Sequence, residues 1–196
     1  MLARAITHAL VGLEPRRVEV EADVVDGVPA FAIVGLPDRA CAEARTRVRS
    51  GIAAAELKFP GGRVTVNLAP AGLRKEGSGY DLPIALALLA ASRQVPHGEL
   101  DRHGSVGELA LDGRVRRVGG VLSVAEGARR MGLEKLLCPA ESAAEAALTG
   151  IEVVPVRHLA DAVAYLRGEL EPDPIVPPRW AEAPSEPDLA DVRGHE

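Results

Sequence analysis

Near the start of the chain, apolar and charged residues alternate. From residue 18 to residue 24 every second position is apolar and the positions between them are acidic, a period of two that is typical of a half-buried strand. Asp26-Gly27 then favours a turn, and residues 30–36 are predicted to form the returning strand of a hairpin. A third strand is predicted over residues 64–68, after the break at Pro60-Gly61-Gly62.

Two stretches of the first hundred residues carry helical patterns. Pro37-Asp38 opens a predicted helix that continues to about Ala55, with apolar residues at every third or fourth position. A second helix is predicted from Asp81, its expected N-cap, to about Ser92, with Pro83 in the first turn. Because this second helix is apolar on every side, we expect it to lie buried in the middle of the domain.

The following part of the chain alternates short strand and helix signals. Asp112-Gly113 predicts a tight hairpin between residues 105–111 and 114–118. The remaining pattern predicts, in order, a helix to about 131, a strand at 135–138, a helix at 141–148, a strand at 153–156 and a helix at 159–166. This mixture of hairpins, strands and helices predicts an α/β (α+β) sandwich in which helices pack on a mixed sheet.

The composition changes after Gly168, where closely spaced prolines predict an extended linker over residues 169–187. We therefore expect one folded domain over residues 1–168. The net charge of the chain is −5, and residues 171–196 hold seven acidic side chains against two arginines. The rest of the chain, residues 1–170, is balanced, so contacts with a polyanion would depend on local basic patches.

Composition also excludes the membrane, secreted and fibrous classes of protein. Hydrophobic residues make up 47% of the 196 residues, but no apolar stretch reaches the ~18 residues of a membrane-spanning helix. Cys41 and Cys138 are far apart in apolar surroundings, which favours buried, reduced thiols in a cytoplasmic protein. The five histidines are scattered, with no His or Cys pair at metal-ligand spacing, so no metal site is predicted.

A glycine-rich loop over residues 71–80 joins a predicted strand to a predicted helix, as phosphate-binding loops do. Ser78-Gly79 stand where a Walker A loop requires a lysine and a hydroxyl residue, so we expect no nucleotide cofactor here. Arg74 and Lys75 are predicted to lie at the exposed tip of this loop. They are the first candidates for contact with a DNA phosphate backbone.

Two other groups of residues leave alternatives open. Arg45, Arg47 and Arg49 on the first predicted helix are further candidates for DNA contact, although a solvated helix face is the favoured interpretation. Ser78, Ser123 and Lys75 raise the alternative of a serine–lysine hydrolase, but a lysine in an exposed loop among charges stays protonated, which disfavours it as the base.

Several stretches together resemble one family. They are residues 33–38 (IVGLPD), 43–50 (EARTRVRS), 66–71 (VNLAPA), 75–77 (KEG), 80–85 (YDLPIA) and 107–113 (GELALDG). In this order they resemble the N-terminal domain of magnesium-chelatase-like AAA+ ATPases of the YifB/ComM type, over about residues 3–168. Residues 188–196 (DLADVRGHE) resemble the opening of that family's AAA+ module, which suggests a truncated module after the linker.

The resemblance implies a fold shared with the Lon peptidase domain, a ribosomal-protein domain-2-like fold, and with the C-terminal domain of bacterial RadA. Lon-type peptidases carry a serine at the start of the helix after the glycine loop. They also carry a lysine two residues after a Gly-Gly pair. Here the first region reads Tyr80-Asp81 and the second position holds Leu122. The family therefore implies a peptidase-shaped domain without peptidase chemistry.

The family also implies a function for the whole protein, a hexameric, ATP-dependent DNA motor that drives branch migration during recombination in natural transformation. The domain is then expected to be non-catalytic and to contribute contact with single-stranded or branched DNA, or ring organisation. ATP and magnesium are expected in the AAA+ module. One alternative is a protein-interaction or regulatory domain that does not touch DNA, and a less favoured one is a magnesium-chelatase subunit.

Overall fold

The computed structural model describes residues 1–175. Its strands are β1 (Leu2–Val11), β2 (Glu14–Val25), β3 (Ala30–Val34), β4 (Arg63–Ala69), β5 (His103–Ser105), β6 (Glu108–Leu109), β7 (Val115–Arg116), β8 (Lys135–Pro139) and β9 (Glu152–Val156). Its α-helices are α1 (Arg39–Ala42), α2 (Ala44–Ala54), α3 (Asp81–Ala91), α4 (His97–Arg102), α5 (Val121–Arg130), α6 (Ala143–Ala147) and α7 (Leu159–Leu166). A 3-10 turn at Ala140–Ser142 precedes α6.

Seven strands form one mixed sheet in the order β3-β4-β2-β1-β5-β8-β9. The pairs β1–β2 and β2–β4 are antiparallel, whereas β3–β4, β1–β5, β5–β8 and β8–β9 are parallel. β6 and β7 pair separately as a short antiparallel ladder. Helices pack on this sheet, so the predicted α/β sandwich with a mixed sheet is confirmed.

The first hairpin of the sheet is formed by β1 and β2, and the sequence pattern missed β1. Val11 pairs with Glu14 across a turn at Gly12-Leu13, where Gly12 has a φ of +64°. Residues 5–9 of β1 are all buried, because helices cover both of its faces. A strand buried on both faces has no alternation of apolar and polar positions, which explains why it was missed.

The predicted hairpin between residues 18–25 and 30–36 is wrong. β3 lies parallel to β4, with Ala30 opposite Arg63, while β4 occupies the edge of β2 that β3 was expected to use. Strand alternation identified the strands but not their partners, since pairing depends on contacts between segments distant in sequence.

The core of the domain is centred on α3, which is buried along its whole length, as predicted. One sheet face presents Ala3, Ala5 and Ala9 of β1 to the same hydrophobic cluster as α3, and these small side chains allow a close approach of helix and strand. The opposite face of β1 is covered by α5, where His8 and Leu10 lie beside its glycines. α3 is therefore enclosed by the sheet and the other helices, which agrees with its uniformly apolar sequence.

Two helix starts differ from the predictions. The expected helix from Pro37 to Ala55 consists of α1 and α2, which meet at Glu43. Asp38 caps α1, with its Oδ1 accepting from the Cys41 amide at 2.7 Å. Asp81 is not the N-cap of α3. Tyr80 holds that position, and the Asp81 carboxylate accepts hydrogen bonds from residues outside α3.

The other predicted elements are present in adjusted form. Strands and helices occur near residues 120–131, 135–138, 141–148, 153–156 and 159–166. The hairpin around Asp112-Gly113 is present but has only two residues in each strand. Sequence pattern gave no indication of α4 and β5, which are short and carry mixed polar and apolar residues.

Residues after α7 lie against the edge strand β9. Leu170–Asp173 border a groove beside Val154–Arg157, Arg157 forms an ion pair with Asp173, and Ile175 packs on the second hydrophobic cluster. The rest of the predicted linker and the segment 188–196 lie outside the described residues. Within residues 1–175, no helix is both long and apolar enough to cross a bilayer.

Candidate nucleic-acid interface

A groove of about 600 Å³ opens between α2 and the edge of the sheet, and we call it the α2–β3 groove. It is lined by Pro29, Ala30, Phe31, Arg45, Thr46, Arg49, Ser50, Phe59, Pro60, Gly61 and Gly62. No acidic residue lines this part of the described structure. The groove therefore presents basic, hydroxyl and aromatic groups together.

The packing of α2 determines which of its arginines reach the groove. The helix buries Ala44, Val48 and Ile52 against the core, so Arg45 and Arg49, one turn apart, lie on its exposed side. Within residues 1–175 neither guanidinium has a carboxylate within 4 Å, whereas most of the other arginines are paired. Two uncompensated positive charges therefore line one side of the groove.

The two phenylalanines of the chain form the other wall. The ring centroids of Phe31 and Phe59 are 5.4 Å apart at 50°, a tilted arrangement that aromatic pairs favour. The Cζ atom of Arg49 lies 5.2 Å from the Phe59 ring centroid, within cation–π range. Sequence reasoning missed this cluster because Phe31 and Phe59 are 28 positions apart and no motif links them.

Arg47 does not lie on the exposed helix face with its neighbours, so the expectation of a solvated or DNA-facing Arg47 is wrong. Its Nε lies 2.5 Å from Asp81 Oδ2, its Nη2 lies 3.0 Å from Oδ1, and Nη2 also donates to the Ala40 carbonyl. The backbone amide of Leu109 donates to the same carboxylate at 3.1 Å. Arg47 therefore joins α2, α3 and β6 inside the domain.

The ionisation of this pair reflects its burial. Desolvation raises the pKa of Asp81, although the hydrogen bonds and charge of Arg47 oppose the shift. The hydrogen bond that Arg47 donates to Asp81 raises the pKa of Arg47 above its ordinary value. We infer a structural ion pair, since the Asp81 carboxylate is fully buried and the Arg47 side chain that binds it is only 19% exposed.

Lys75 is fully buried, so its predicted position at an exposed loop tip is also wrong. Its Nζ donates to the carbonyl oxygen of Gly35 at 2.8 Å and to that of Pro70, and burial lowers its pKa. The loop folds back on the chain because Lys75 and Pro37 form a parallel bridge, while Asp38 Oδ2 accepts from the Gly77 amide at 3.0 Å. Lys75 fastens this loop and presents no charge at the surface.

Arg74 is exposed, as predicted, but Glu76 partly neutralises it, with a 3.1 Å separation between Arg74 Nε and Glu76 Oε1. Both side chains line a second cavity, of about 410 Å³. The neighbouring carboxylate repels a phosphate that the guanidinium would attract. Arg74 is therefore a weaker candidate for phosphate contact than Arg45 or Arg49.

The second cavity brings together the two segments that correspond by resemblance to a peptidase site. Ser78 and Tyr80 come from the glycine-rich loop, and Gly119 precedes α5. The amine of Lys75 is committed to backbone carbonyls. Leu122, at the position of the peptidase lysine, has an aliphatic side chain and cannot act as a base. The cavity therefore lies at the position of such a site, without the serine–lysine pair that a peptidase of this type carries.

The two cysteines are buried. Burial raises the pKa of Cys41 and that of Cys138 to about 12, so both thiols stay protonated at neutral pH. Within residues 1–175, no group of three His, Cys, Asp or Glu side chains is placed to hold a metal ion.

Comparison with known proteins identifies the family. A family model described as subunit ChlI of Mg-chelatase matches residues 20–142, and all of the motif stretches between residues 33 and 113 fall inside this match. The chain belongs to this family. The matched part includes the second half of β2, all of β3, β4, α2 and α3, and the α2–β3 groove.

Individual relatives extend the match over almost the whole chain. The magnesium-chelatase-like chain is 40% identical to the uncharacterized protein YifB of Salmonella typhimurium over 196 residues, covering 100% of this chain and 38% of YifB. It is 41% identical to an uncharacterized protein of Mycobacterium tuberculosis over 194 residues, covering 98% of this chain and 39% of that protein. It is 40% identical to competence protein ComM of Haemophilus influenzae over 169 residues, covering 86% and 33%. The resemblance to the YifB/ComM type is confirmed, and the chain spans about two fifths of the length of these relatives or less.

Proposed function

We propose that this chain is the non-catalytic N-terminal domain of a hexameric, ATP-driven DNA motor, and that Arg45 and Arg49 contact DNA phosphates. The single observation that carries the DNA-contact proposal is that the guanidinium groups of Arg45 and Arg49 border a groove with no acidic lining residue and, among residues 1–175, have no carboxylate within 4 Å. Unpaired arginines retain their full charge for phosphate, whereas paired ones must first lose a carboxylate.

The comparisons support the wider role. The relatives include a protein named for competence, which favours action on DNA during recombination, in the manner of a branch-migration helicase. ATP and magnesium are assigned to an AAA+ module beyond this domain, and the protein to the cytoplasm. In this proposal the domain places its groove on the DNA that the ring translocates.

Contacts of this kind recognise the backbone and not the base sequence. Guanidinium–phosphate contacts release counterions, so the affinity is expected to fall steeply with salt. The charges of residues 1–170 balance, so one domain alone is expected to bind weakly, and several domains in one ring to bind strongly through avidity.

The cavity beside the glycine-rich loop is assigned no hydrolytic role. A serine–lysine mechanism requires an amine within hydrogen-bond reach of the serine, and Lys75 instead donates to Gly35 and Pro70. An absence of peptidase activity toward unfolded protein would agree with this proposal. Cleavage that depends on Ser78 would contradict it.

The proposed function is tested by DNA binding of paired variants. Arg45→Ala/Arg49→Ala should weaken binding of a fluorescent single strand about tenfold or more at 50 mM salt. The matched control is Arg129→Ala/Arg130→Ala, which removes the same charge from guanidiniums that are already paired with Glu126. Equal affinities for the two double variants would contradict the assignment of Arg45 and Arg49.

A protein-interaction or regulatory domain is the second candidate function. The observation that favours it is the packing of residues 170–175 on the domain, through Ile175 and the Arg157–Asp173 ion pair. Such packing would couple the domain mechanically to whatever follows it. Absence of DNA binding at low salt, together with a change in ATPase rate when the domain is removed from the full-length protein, would establish this alternative.

The name of the matching family model also favours a magnesium-chelatase subunit. The relatives that match almost the whole chain are YifB and ComM proteins, which makes this the less favoured proposal. Magnesium insertion into a porphyrin by the full-length protein with its partner subunits would establish it.

A further inference from the structure

We propose that the α2–β3 groove holds an unpaired nucleobase against Phe59 and Arg49, so that the domain selects single-stranded over base-paired DNA. This inference rests on the proposed function and adds a second contact to it. Phosphate contact alone does not distinguish a strand whose bases are free from one whose bases are stacked and paired.

The aromatic wall of the groove is the first support. Phe31 and Phe59 are only partly buried, and both rings border the groove. Aromatic residues make up only 3% of the sequence, yet both of its phenylalanines lie at this site. Partly exposed aromatic rings beside arginines are the surface on which proteins without base preference stack single-stranded DNA.

Arg49 provides the second support. Its guanidinium already lies over the Phe59 ring, with 5.2 Å from Cζ to the ring centroid. A planar guanidinium offers a nucleobase a flat, cationic face, as aromatic rings offer a flat apolar one. A base that enters the groove can therefore extend the stack of Phe59 and Arg49.

The surroundings of the stack fit a base attached to its backbone. Arg45 lies one helical turn from Arg49 on the same border and can hold an adjacent phosphate. Thr46 and Ser50 contribute hydroxyl groups, and Gly61-Gly62 line the groove without side chains. The volume of about 600 Å³ falls within the range of small-ligand pockets.

A nucleobase in this groove would not be read for its identity. The wall consists of ring faces, a guanidinium and hydroxyl groups, without a fixed set of donors and acceptors for one base edge. Stacking is tolerant of sequence because every base has a π-face. The proposal thus assigns the groove to unpaired DNA of any sequence.

The experiment compares two strands with the same phosphates, a thymidine 20-mer and an abasic 20-mer, by fluorescence anisotropy with the 196-residue chain. The wild-type domain should bind the thymidine strand about tenfold more tightly, from stacking of one base. Phe59→Leu retains an apolar side chain without a π-face, and it should lose this preference while its affinity for the abasic strand is unchanged. Arg49→Lys retains the charge without the planar group and should also lose the preference.

The outcomes separate the two proposals. If the wild-type domain binds both strands equally, or if Phe59→Leu retains the preference while its thermal unfolding is unchanged, base stacking is wrong and phosphate contact still stands. Phe31→Leu is the second variant if Phe59→Leu fails to fold, and it should likewise reduce the preference. If neither strand binds at low salt, both base stacking and the proposed DNA contact are wrong.

Discussion

At the residue scale, the arginines of α2 show how one helix divides a single residue type between structure and function. Arg45 and Arg49 face the groove, whereas Arg47 turns inward to the fully buried Asp81 carboxylate. An ion pair in this position joins two helices, and removal of one partner leaves the other charged, buried and unsatisfied.

Replacement of Arg47 tests this interpretation. Arg47→Met should reduce the free energy of unfolding by about 3–5 kcal/mol, because Asp81 keeps its desolvation penalty and loses its partner. Chemical denaturation measures the change, and Arg45→Met is the matched control with an expected effect within about 0.5 kcal/mol. Equal stabilities of the two variants would show that the buried pair does not stabilise the domain.

His8 should make the stability of the domain depend on pH. Burial, and then the charge of Arg17, lower its pKa from 6.5 to about 4. Between these values the unfolded chain binds the proton and the folded domain does not. The stability is therefore full above pH 6.5 and falls by up to about 3 kcal/mol as the pH drops toward 4.

Thermal unfolding between pH 7 and pH 4.5 measures this effect. His8→Gln, which does not titrate, should show a smaller decrease in melting temperature over this interval than the wild-type domain. The side chain packed next to the ring, Met131, is uncharged and does not contribute to the difference. Identical pH profiles would contradict the assignment to His8.

At the element scale, the loop between β3 and α1 depends on close backbone contact. Gly35 has a φ of +100°, and a Cβ added there would clash with the backbone carbonyl of Leu68 on β4. The carbonyl oxygen of Gly35 also accepts a hydrogen bond from the Lys75 amine. These contacts place β3, and with it one wall of the α2–β3 groove.

Gly35→Ala should therefore destabilise the domain by about 2 kcal/mol or more, because both the backbone conformation and the space are unsuitable for a side chain. Gly98→Ala is the control, since nothing lies within 4 Å of an added Cβ in α4 and alanine favours a helix. Circular dichroism during denaturation provides the measurement. A Gly35→Ala variant as stable as Gly98→Ala would contradict the close contact.

The sequence predicted strands that are buried on one face and the helix that is buried on all sides. The alternation in β2 and the uniformly apolar α3 were identified because each pattern has one common structural explanation. β1 was missed because helices cover both of its faces, and the place of β3 in the sheet was wrong because local pattern carries no information on pairing.

The candidate site was predicted less well than the fold, because the exposure of a side chain depends on its contacts with segments distant in sequence. A charged side chain in a glycine-rich stretch suggests exposure, yet Lys75 is buried because two carbonyl oxygens lie within reach of its amine. Arg45 and Arg49 were among the candidates from their helical spacing. The approach of Phe31 to Phe59 depends on the pairing of β3 with β4 and has no local signal.

At the scale of the whole molecule, charge is distributed so that the proposed DNA contact would be local. Residues 1–170 carry equal numbers of acidic and basic side chains, and most exposed arginines have carboxylate partners. Among residues 1–175, the α2–β3 groove differs from this pattern because no acidic residue lines it. A neutral domain with a local basic groove is suited to the weak, reversible contacts that several copies in the proposed ring would add together.

The most direct test of this account is the salt dependence of DNA binding. The association constant of the 196-residue chain for a single strand is measured at salt concentrations from about 25 to about 200 mM. Its logarithm is then plotted against the logarithm of the salt concentration, and the slope reports the counterions released. The account predicts that Arg45→Ala/Arg49→Ala reduces the magnitude of the slope by about 1 for each arginine, while Arg129→Ala/Arg130→Ala leaves it unchanged. Equal slopes for the wild-type chain and both double variants would contradict the placement of DNA phosphates at the α2–β3 groove.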